Sequence, residues 1–122
     1  MLKKILIADD SQTVITILKD IFEKEGYVVA TAGSGEEALS VLEFQQPDVV
    51  LTDTVMTGMD GFEVCRRIKE NPSMAKPPKV VVMTGTIEAV DATKARSVGA
   101  DDYCAKTSDF KYILNTVNEL VA

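Results

Sequence analysis

Five residues that could do chemistry stand at the ends of short apolar runs in this sequence. Asp9 and Asp10 follow the first such run, and Asp53, Thr84 and Lys106 each follow a later one. In a parallel sheet the carboxyl ends of all strands lie along one edge, where open α/β proteins bind their ligands. The spacing therefore predicts one site that contains three carboxylates, a hydroxyl and an ammonium group.

The charges of this predicted site require a cation. Three carboxylates within a few ångströms repel one another, and Lys106 supplies only one positive charge. A few carboxylates, a backbone carbonyl and several waters are the ligands that Mg²⁺ prefers. With phosphate oxygens completing the magnesium shell and a lysine opposite, such a site is suited to phosphoryl transfer.

The elements that must position these residues can be read from the apolar pattern. Strands are predicted over residues 5–8, 27–32, 49–52, 80–83 and 102–105. The run at 49–52 is uninterrupted and leads straight into Asp53, as expected for a strand covered on both faces.

Helices are predicted between these strands and after the last one. The first has its apolar residues between 14 and 22 and ends before Gly26, the second begins with a Ser34/Glu37 capping box, and the third stops before residues 71–72. The fourth has a light alanine stripe and ends at Gly99, and the fifth spans 110–121 with Ser108 as its N-cap.

Five strands alternating with five helices predict an α/β fold with a doubly wound, five-stranded parallel sheet. Right-handed crossovers place helices on both faces of the sheet. We expect one domain over residues 1–122, because this length can bury a core without disulfides or structural metals.

Composition narrows the function classes. The net charge of −6 and pI near 4.6 argue against direct nucleic-acid binding and favour a cation or a protein partner. The absence of histidine excludes His-based triads and most zinc sites. Cys65 and Cys104 are expected to be core residues in a reducing compartment. No run reaches the length of a membrane span, so we expect a cytoplasmic protein.

At the strand ends the chain resembles the receiver domain of two-component response regulators, and the resemblance covers essentially the whole sequence. The motifs that carry it are, in chain order, Asp9-Asp10, Asp53, Met59-Asp60-Gly61, Thr84-Gly85, Gly99-Ala100-Asp101-Asp102-Tyr103 and Lys106. The resemblance implies a flavodoxin-like (βα)5 fold with strand order 2-1-3-4-5.

The resemblance also implies a phosphoacceptor and a metal site. Asp53 would take a phosphoryl group from a phosphohistidine on a sensor histidine kinase or a histidine phosphotransfer protein, forming an aspartyl phosphate. Asp10, Asp53 and the Val55 carbonyl would hold Mg²⁺ directly, and Asp9 would help through water. The protein would catalyse only its own phosphorylation and dephosphorylation, and is not expected to be an enzyme in the usual sense.

A switch is implied by the same resemblance. Lys106 would pair with the phosphoryl oxygens, Thr84 would turn its hydroxyl towards them, and Tyr103 would move into the space that Thr84 leaves. The face formed by the fourth helix, fifth strand and fifth helix would then change shape and regulate a downstream protein partner. Ile87 and Val90 of the fourth helix are candidates for exposed partner-binding area.

Two positions depart from the family pattern. Thr107 stands where the family usually has a cis-proline, and we predict a trans Lys106-Thr107 bond because a cis non-proline bond costs about 3–4 kcal/mol. Thr57 stands where a proline is usual, and its loop is expected to be looser. In addition, Val55 and Thr86 offer no carboxylate or amide to orient an attacking water, which predicts slow self-dephosphorylation.

Three other functions would suit parts of the same pattern. A degenerate receiver could act as a phosphate-independent scaffold, although Asp10, Asp53, Thr84 and Lys106 are all present. A phosphatase with an aspartyl nucleophile would need an Asp-x-Asp-x-Thr run after the first strand. A flavodoxin-like FMN module would need a hydroxyl- and glycine-rich loop where Asp9-Asp10 stands.

Asp60 is predicted to be a helix N-cap and not a catalytic group, and Met56, Met59 and Met83 are predicted to serve packing. We also expect a stand-alone receiver, or a receiver module without DNA-binding activity of its own.

Overall fold

In a computed structural model of the chain, residues 3–74, 76–85, 89–106 and 109–122 are described, with the backbone alone for 89–91. Strands and helices alternate along the whole described chain, as the sequence predicted. The elements are β1 (Lys4–Ala8), α1 (Gln12–Lys24), β2 (Val28–Ala32), α2 (Gly35–Gln45), β3 (Val49–Asp53), α3 (Gly61–Lys69), β4 (Lys79–Thr84), α4 (Ala89–Ser97), β5 (Asp102–Ala105) and α5 (Phe110–Val121).

The five strands form one parallel sheet in the order β2-β1-β3-β4-β5, which confirms the predicted architecture. β3 occupies the centre, and all five of its residues are buried. Its uninterrupted apolar run follows from this position, since a central strand is covered by helices on both faces.

Alternate residues of each central strand enter two separate core layers. Leu6, Val50 and Val82 pack in a layer with residues of α2, α3 and α4. Leu51 and Val81 face the opposite way, into a layer completed by residues of α1 and α5. The period of two in side-chain direction therefore divides the apolar runs between the two faces.

Most predicted helix ends are confirmed. The Ser34 Oγ accepts a hydrogen bond from the Glu37 amide at 3.1 Å, and the Glu37 carboxylate accepts one from the Gly33 amide at 2.9 Å. Asp60 caps α3 by accepting from the Glu63 amide at 2.8 Å, as predicted. Gly26 follows the end of α1 at a φ of 98°.

The predicted N-cap of α5 was wrong. The cap lies one residue later than predicted, at Asp109, whose carboxylate accepts a hydrogen bond from the Lys111 amide at 3.1 Å. Ser108 itself lies outside the described residues. Aspartate and serine are similarly good N-caps. The aspartate side chain accepts a hydrogen bond from the amide two residues further along the chain.

Three further sequence predictions fall on residues outside the described ranges or on side chains that are not described. They concern the Lys106-Thr107 peptide bond, the side chain of Thr86, and the exposure of Ile87 and Val90. Within the described ranges, no helix is both long enough and apolar enough to cross a bilayer.

Candidate functional site

The strand register brings the predicted site residues to one edge of the sheet. Ala8 of β1 pairs with Thr52 of β3, so the next residues, Asp9 and Asp53, stand at adjacent positions. On the other side of β3, Asp53 pairs with Met83 of β4. The last pair of β4 and β5 is Thr84 with Ala105, which places Lys106 at the same edge. This pairing follows from the way in which parallel strands place their carboxyl ends.

The side chains of Asp9, Asp53 and Lys106 are in direct contact. The Lys106 Nζ lies 2.7 Å from the Asp9 Oδ2 and 3.0 Å from the Asp53 Oδ2. One carboxylate oxygen each from Asp9, Asp10 and Asp53 lies within 4.8 Å of the other two. The predicted clustering of three carboxylates and one ammonium group is therefore found.

The three carboxylates differ in their exposure to solvent. Asp9 is 0% exposed and Asp53 is 6% exposed, whereas Asp10 is exposed. The Asp9 Oδ1 accepts a hydrogen bond from the Ser11 amide at 2.8 Å. Its Oδ2 receives no aligned hydrogen bond from the described residues and is held in an ion pair with the Lys106 ammonium group.

These residues fit a hard divalent cation. A buried carboxylate oxygen without an aligned donor is costly, and three carboxylates face a single ammonium group. A divalent ion at this place would compensate the remaining negative charge with the oxygen ligands that Mg²⁺ prefers.

The pKa of Asp53 is raised by its surroundings. Burial is the largest cause, and the negative charge of Asp9 adds to it. The hydrogen bond from Lys106 and the bond from the Val55 amide act in the opposite direction, without outweighing burial. Asp53 is therefore a carboxylate whose charged form is partly desolvated by the protein.

Lys106 keeps its proton in this site. Burial on its own would lower the pKa of the ammonium group, but the carboxylates of Asp9 and Asp53 outweigh burial and the pKa is raised. The site thus contains one permanent positive charge beside the Asp53 carboxylate.

The two predicted switch residues lie close to the site on β4 and β5. Thr84 ends β4 and is 1% exposed, and its carbonyl accepts a hydrogen bond from the Lys106 amide at 2.7 Å. Tyr103 of β5 is partly buried and packs against the core layer beneath α2, α3 and α4.

The family is decided by comparison with known proteins. A family profile described as the response regulator receiver domain matches residues 5–118. The chain belongs to the response regulator receiver domain family. Receiver domains are the phosphorylation-activated parts of two-component response regulators.

Similar proteins agree with this assignment. The receiver is 37% identical over 106 residues to the alkaline phosphatase synthesis transcriptional regulatory protein PhoP of Bacillus subtilis, and the match covers 87% of this chain and 43% of PhoP. The chain therefore spans less than half the length of that relative.

Solved structures of similar proteins show the same fold. The chemotaxis response regulator CheY4 of Vibrio cholerae superposes with a TM-score of 0.90 at 26% identity, over 98% of both chains. The response regulator TrrA of Thermotoga maritima, in complex with Mg²⁺ and beryllofluoride, superposes with a TM-score of 0.85 at 30% identity, over 98% of this chain and 99% of TrrA.

The structure of the receiver adds contacts that the sequence did not predict. The Thr54 amide donates to the Met83 carbonyl at 3.0 Å, and the Gly61 amide donates to the Thr54 carbonyl at 3.0 Å, which closes the loop after Asp53 at its base. A Cβ at Gly61 would lie 1.9 Å from the Asp53 carbonyl oxygen, so only glycine fits there. The sequence motif that contains Gly61 could be recognised, but its close contact with the Asp53 carbonyl could not be predicted.

Proposed function

We propose that this receiver accepts a phosphoryl group on Asp53 from the phosphohistidine of a sensor histidine kinase or a histidine phosphotransfer protein. A carboxylate oxygen of Asp53 attacks phosphorus, the P–O bond forms, and the P–N bond to the donor imidazole breaks. The observation that carries the proposal is the position of the Asp53 carboxylate, 3.0 Å from the Lys106 ammonium and beside two further aspartates at the sheet edge.

Asp10, Asp53 and the Val55 carbonyl are the proposed direct ligands of Mg²⁺. When bound, Mg²⁺ neutralises charge on the phosphoryl oxygens, which is the main requirement of phosphoryl transfer. Asp9 takes an indirect part through water, consistent with its complete burial and its ion pair with Lys106. The Mg²⁺ in the similar TrrA complex and the clustered carboxylates of this chain support this assignment.

The response to the phosphoryl group is proposed to depend on Lys106, Thr84 and Tyr103. The Lys106 ammonium pairs with its oxygens, the Thr84 hydroxyl turns towards it, and Tyr103 moves into the vacated space. The face of α4, β5 and α5 then changes its shape and regulates a downstream protein partner. The burial of Thr84 and the packing of Tyr103 against the core layer that includes residues of α4 support this route.

The remaining proposals concern the whole chain. Residues 1–122 form one receiver domain, a signalling switch whose catalysis is limited to its own phosphorylation and dephosphorylation. It works in the cytoplasm, since two buried free cysteines suit a reducing compartment. Its binding partners are proteins, and neither nucleic acid nor a membrane.

Intact-mass measurement after incubation with acetyl phosphate tests the proposal. We expect the wild type to gain one phosphoryl group only when Mg²⁺ is present, and the Asp53→Ala variant to gain none. The exposed Asp20 of α1 offers a matched control, and Asp20→Ala should gain the group as the wild type does. If the wild type gains no group and fails to bind beryllofluoride, the phosphate-independent scaffold is the better interpretation.

A further inference from the structure

The loop between β3 and α3, residues 54–60, is held from outside by the first turn of α2. The Glu36 Oε1 accepts a hydrogen bond from the Met59 amide at 3.1 Å. The same carboxylate lies beside Gly58, where a Cβ would stand 3.0 Å and 3.2 Å from its two oxygens. Gly58 has a φ of 79°, a backbone conformation that residues other than glycine rarely adopt, at the point where the loop approaches Glu36.

The N-terminus of α2 is docked on this loop by close packing as well. A Cβ at Gly35 would lie 2.8 Å from the Met59 carbonyl oxygen and 3.0 Å from a methyl group of Val64. The start of α2 and the end of the loop are therefore in contact along their backbones. A carboxylate in the first turn of a helix is also favoured by the helix dipole.

The anchored loop carries a backbone that serves the phosphoacceptor. The Val55 amide lowers the pKa of the Asp53 carboxylate, although burial outweighs it, and the Val55 carbonyl is the proposed third ligand of Mg²⁺. The bonds of Thr54 and Gly61 close the base of the loop but leave residues 55–59 to be held by other contacts. Thr57 does not restrict the backbone as a proline would. The conformation of the loop therefore depends more on contacts from outside the loop.

We propose that Glu36 is a positioning residue for the phosphoacceptor site, a role that rests on the proposed function. Its hydrogen bond to the Met59 amide holds the loop so that the Val55 carbonyl is already in place when Mg²⁺ arrives. Loss of the bond leaves the loop to be ordered on binding, which weakens Mg²⁺ binding. It leaves the rate of phosphorylation at saturating Mg²⁺ unchanged, because the reacting groups are untouched.

Three variants separate this role from general effects of charge or folding. Glu36→Ala removes the acceptor, and Glu36→Gln keeps an acceptor oxygen without the charge. Glu43→Ala removes an exposed glutamate from the same helix and serves as the control. The readouts are hydrogen exchange of the Met59 amide without metal, Mg²⁺ affinity by calorimetry, and the Mg²⁺ dependence of phosphorylation by acetyl phosphate.

The expected result is a change in the loop and in metal affinity together. In Glu36→Ala the Met59 amide should exchange faster and Mg²⁺ should bind about fivefold more weakly, the size expected for one lost hydrogen bond. Glu36→Gln should restore both values towards the wild type, and Glu43→Ala should change neither. The rate at saturating Mg²⁺ should be the same in all four proteins.

Several results would overturn the role of Glu36. Unchanged Met59 exchange or unchanged Mg²⁺ affinity in Glu36→Ala would do so, as would a Glu36→Gln variant as impaired as Glu36→Ala. If the wild type binds Mg²⁺ but gains no phosphoryl group, the proposed function fails. The exchange and calorimetry results still decide whether Glu36 positions the loop.

Discussion

At the scale of single residues, the site combines groups that oppose one another. Asp9 and Asp53 are both buried, and they share the one ammonium group of Lys106. Burial raises the pKa of Asp53, which means that its ionised form is disfavoured by the fold. Functional sites are often less stable than the rest of a protein for this reason.

Replacing Asp53 by asparagine should therefore stabilise the metal-free protein. A neutral amide of similar shape removes the repulsion with Asp9, and we expect the free energy of unfolding to rise by about 1 kcal/mol, several degrees in melting temperature. Added Mg²⁺ should raise the melting temperature of the wild type more than that of Asp53→Asn. Thermal melts with and without Mg²⁺ measure this, and a less stable Asp53→Asn in metal-free buffer would contradict it.

The lifetime of the aspartyl phosphate should depend on Val55. Its side chain is 76% exposed next to the site and has no polar group to orient an attacking water. We expect Val55→Asn to shorten the half-life about tenfold or more, within the range of general acid–base effects. Val28→Asn changes another exposed valine, on β2, and should leave the half-life as it is. An equal half-life in Val55→Asn and the wild type would refute the explanation.

The two cysteines should be unreactive in the native protein. Burial raises the pKa of Cys65 to about 11 and that of Cys104 to about 12. A raised thiol pKa means that the reactive thiolate is scarce at mildly alkaline pH, and burial also blocks access. We expect iodoacetamide to label neither thiol in native buffer and both in strong denaturant. Rapid native labelling of either one would show that the core opens more readily than its packing implies.

At the scale of elements, one ion-paired contact ties α3 to β4 and to the segment before β5. The Lys69 Nζ lies 2.7 Å from the Asp101 Oδ2 and donates to the Pro78 carbonyl at 3.1 Å. The Asp101 Oδ2 also accepts from the Val80 amide at 2.8 Å. These residues stand at the amino ends of the strands, opposite the edge that carries Asp53.

Removing the Asp101 carboxylate should cost stability without affecting metal binding. Asp101→Ala leaves the Val80 amide without this acceptor and Lys69 without its partner, and we expect a loss of about 2 kcal/mol in denaturant unfolding. Asp20→Ala breaks the exposed Lys24 pair of α1 and should cost about 0.5 kcal/mol or less. Equal losses in the two variants, or weaker Mg²⁺ binding in Asp101→Ala, would contradict this division.

At the scale of the whole molecule, the sequence predicts most of the architecture. The apolar runs of β1, β3 and β4 are long enough to be recognised and are covered on both faces, so their carboxyl ends could be identified. The strand predicted over residues 102–105 begins and ends at the same residues as β5. The clustering of Asp9, Asp10 and Asp53 follows from strand ends alone.

What the sequence could not predict depends on how separate elements meet. Glu36 and Met59 are 23 positions apart, and their bond exists only because the start of α2 docks on the loop after β3. The sequence also could not predict that the cap of α5 is Asp109, because the preceding Ser108 suits an N-cap equally well. No spacing rule reveals that Lys106 pairs with the fully buried Asp9 as closely as with Asp53.

The identity of the phosphorylated residue is the central claim. Borohydride reduction converts an aspartyl phosphate into homoserine, and peptide mass spectrometry then locates the modified position after treatment with acetyl phosphate and Mg²⁺. We predict homoserine at position 53 alone, where the carboxylate lies 3.0 Å from the Lys106 ammonium. Homoserine at position 9 or 10, with Asp53 unmodified, would contradict the account.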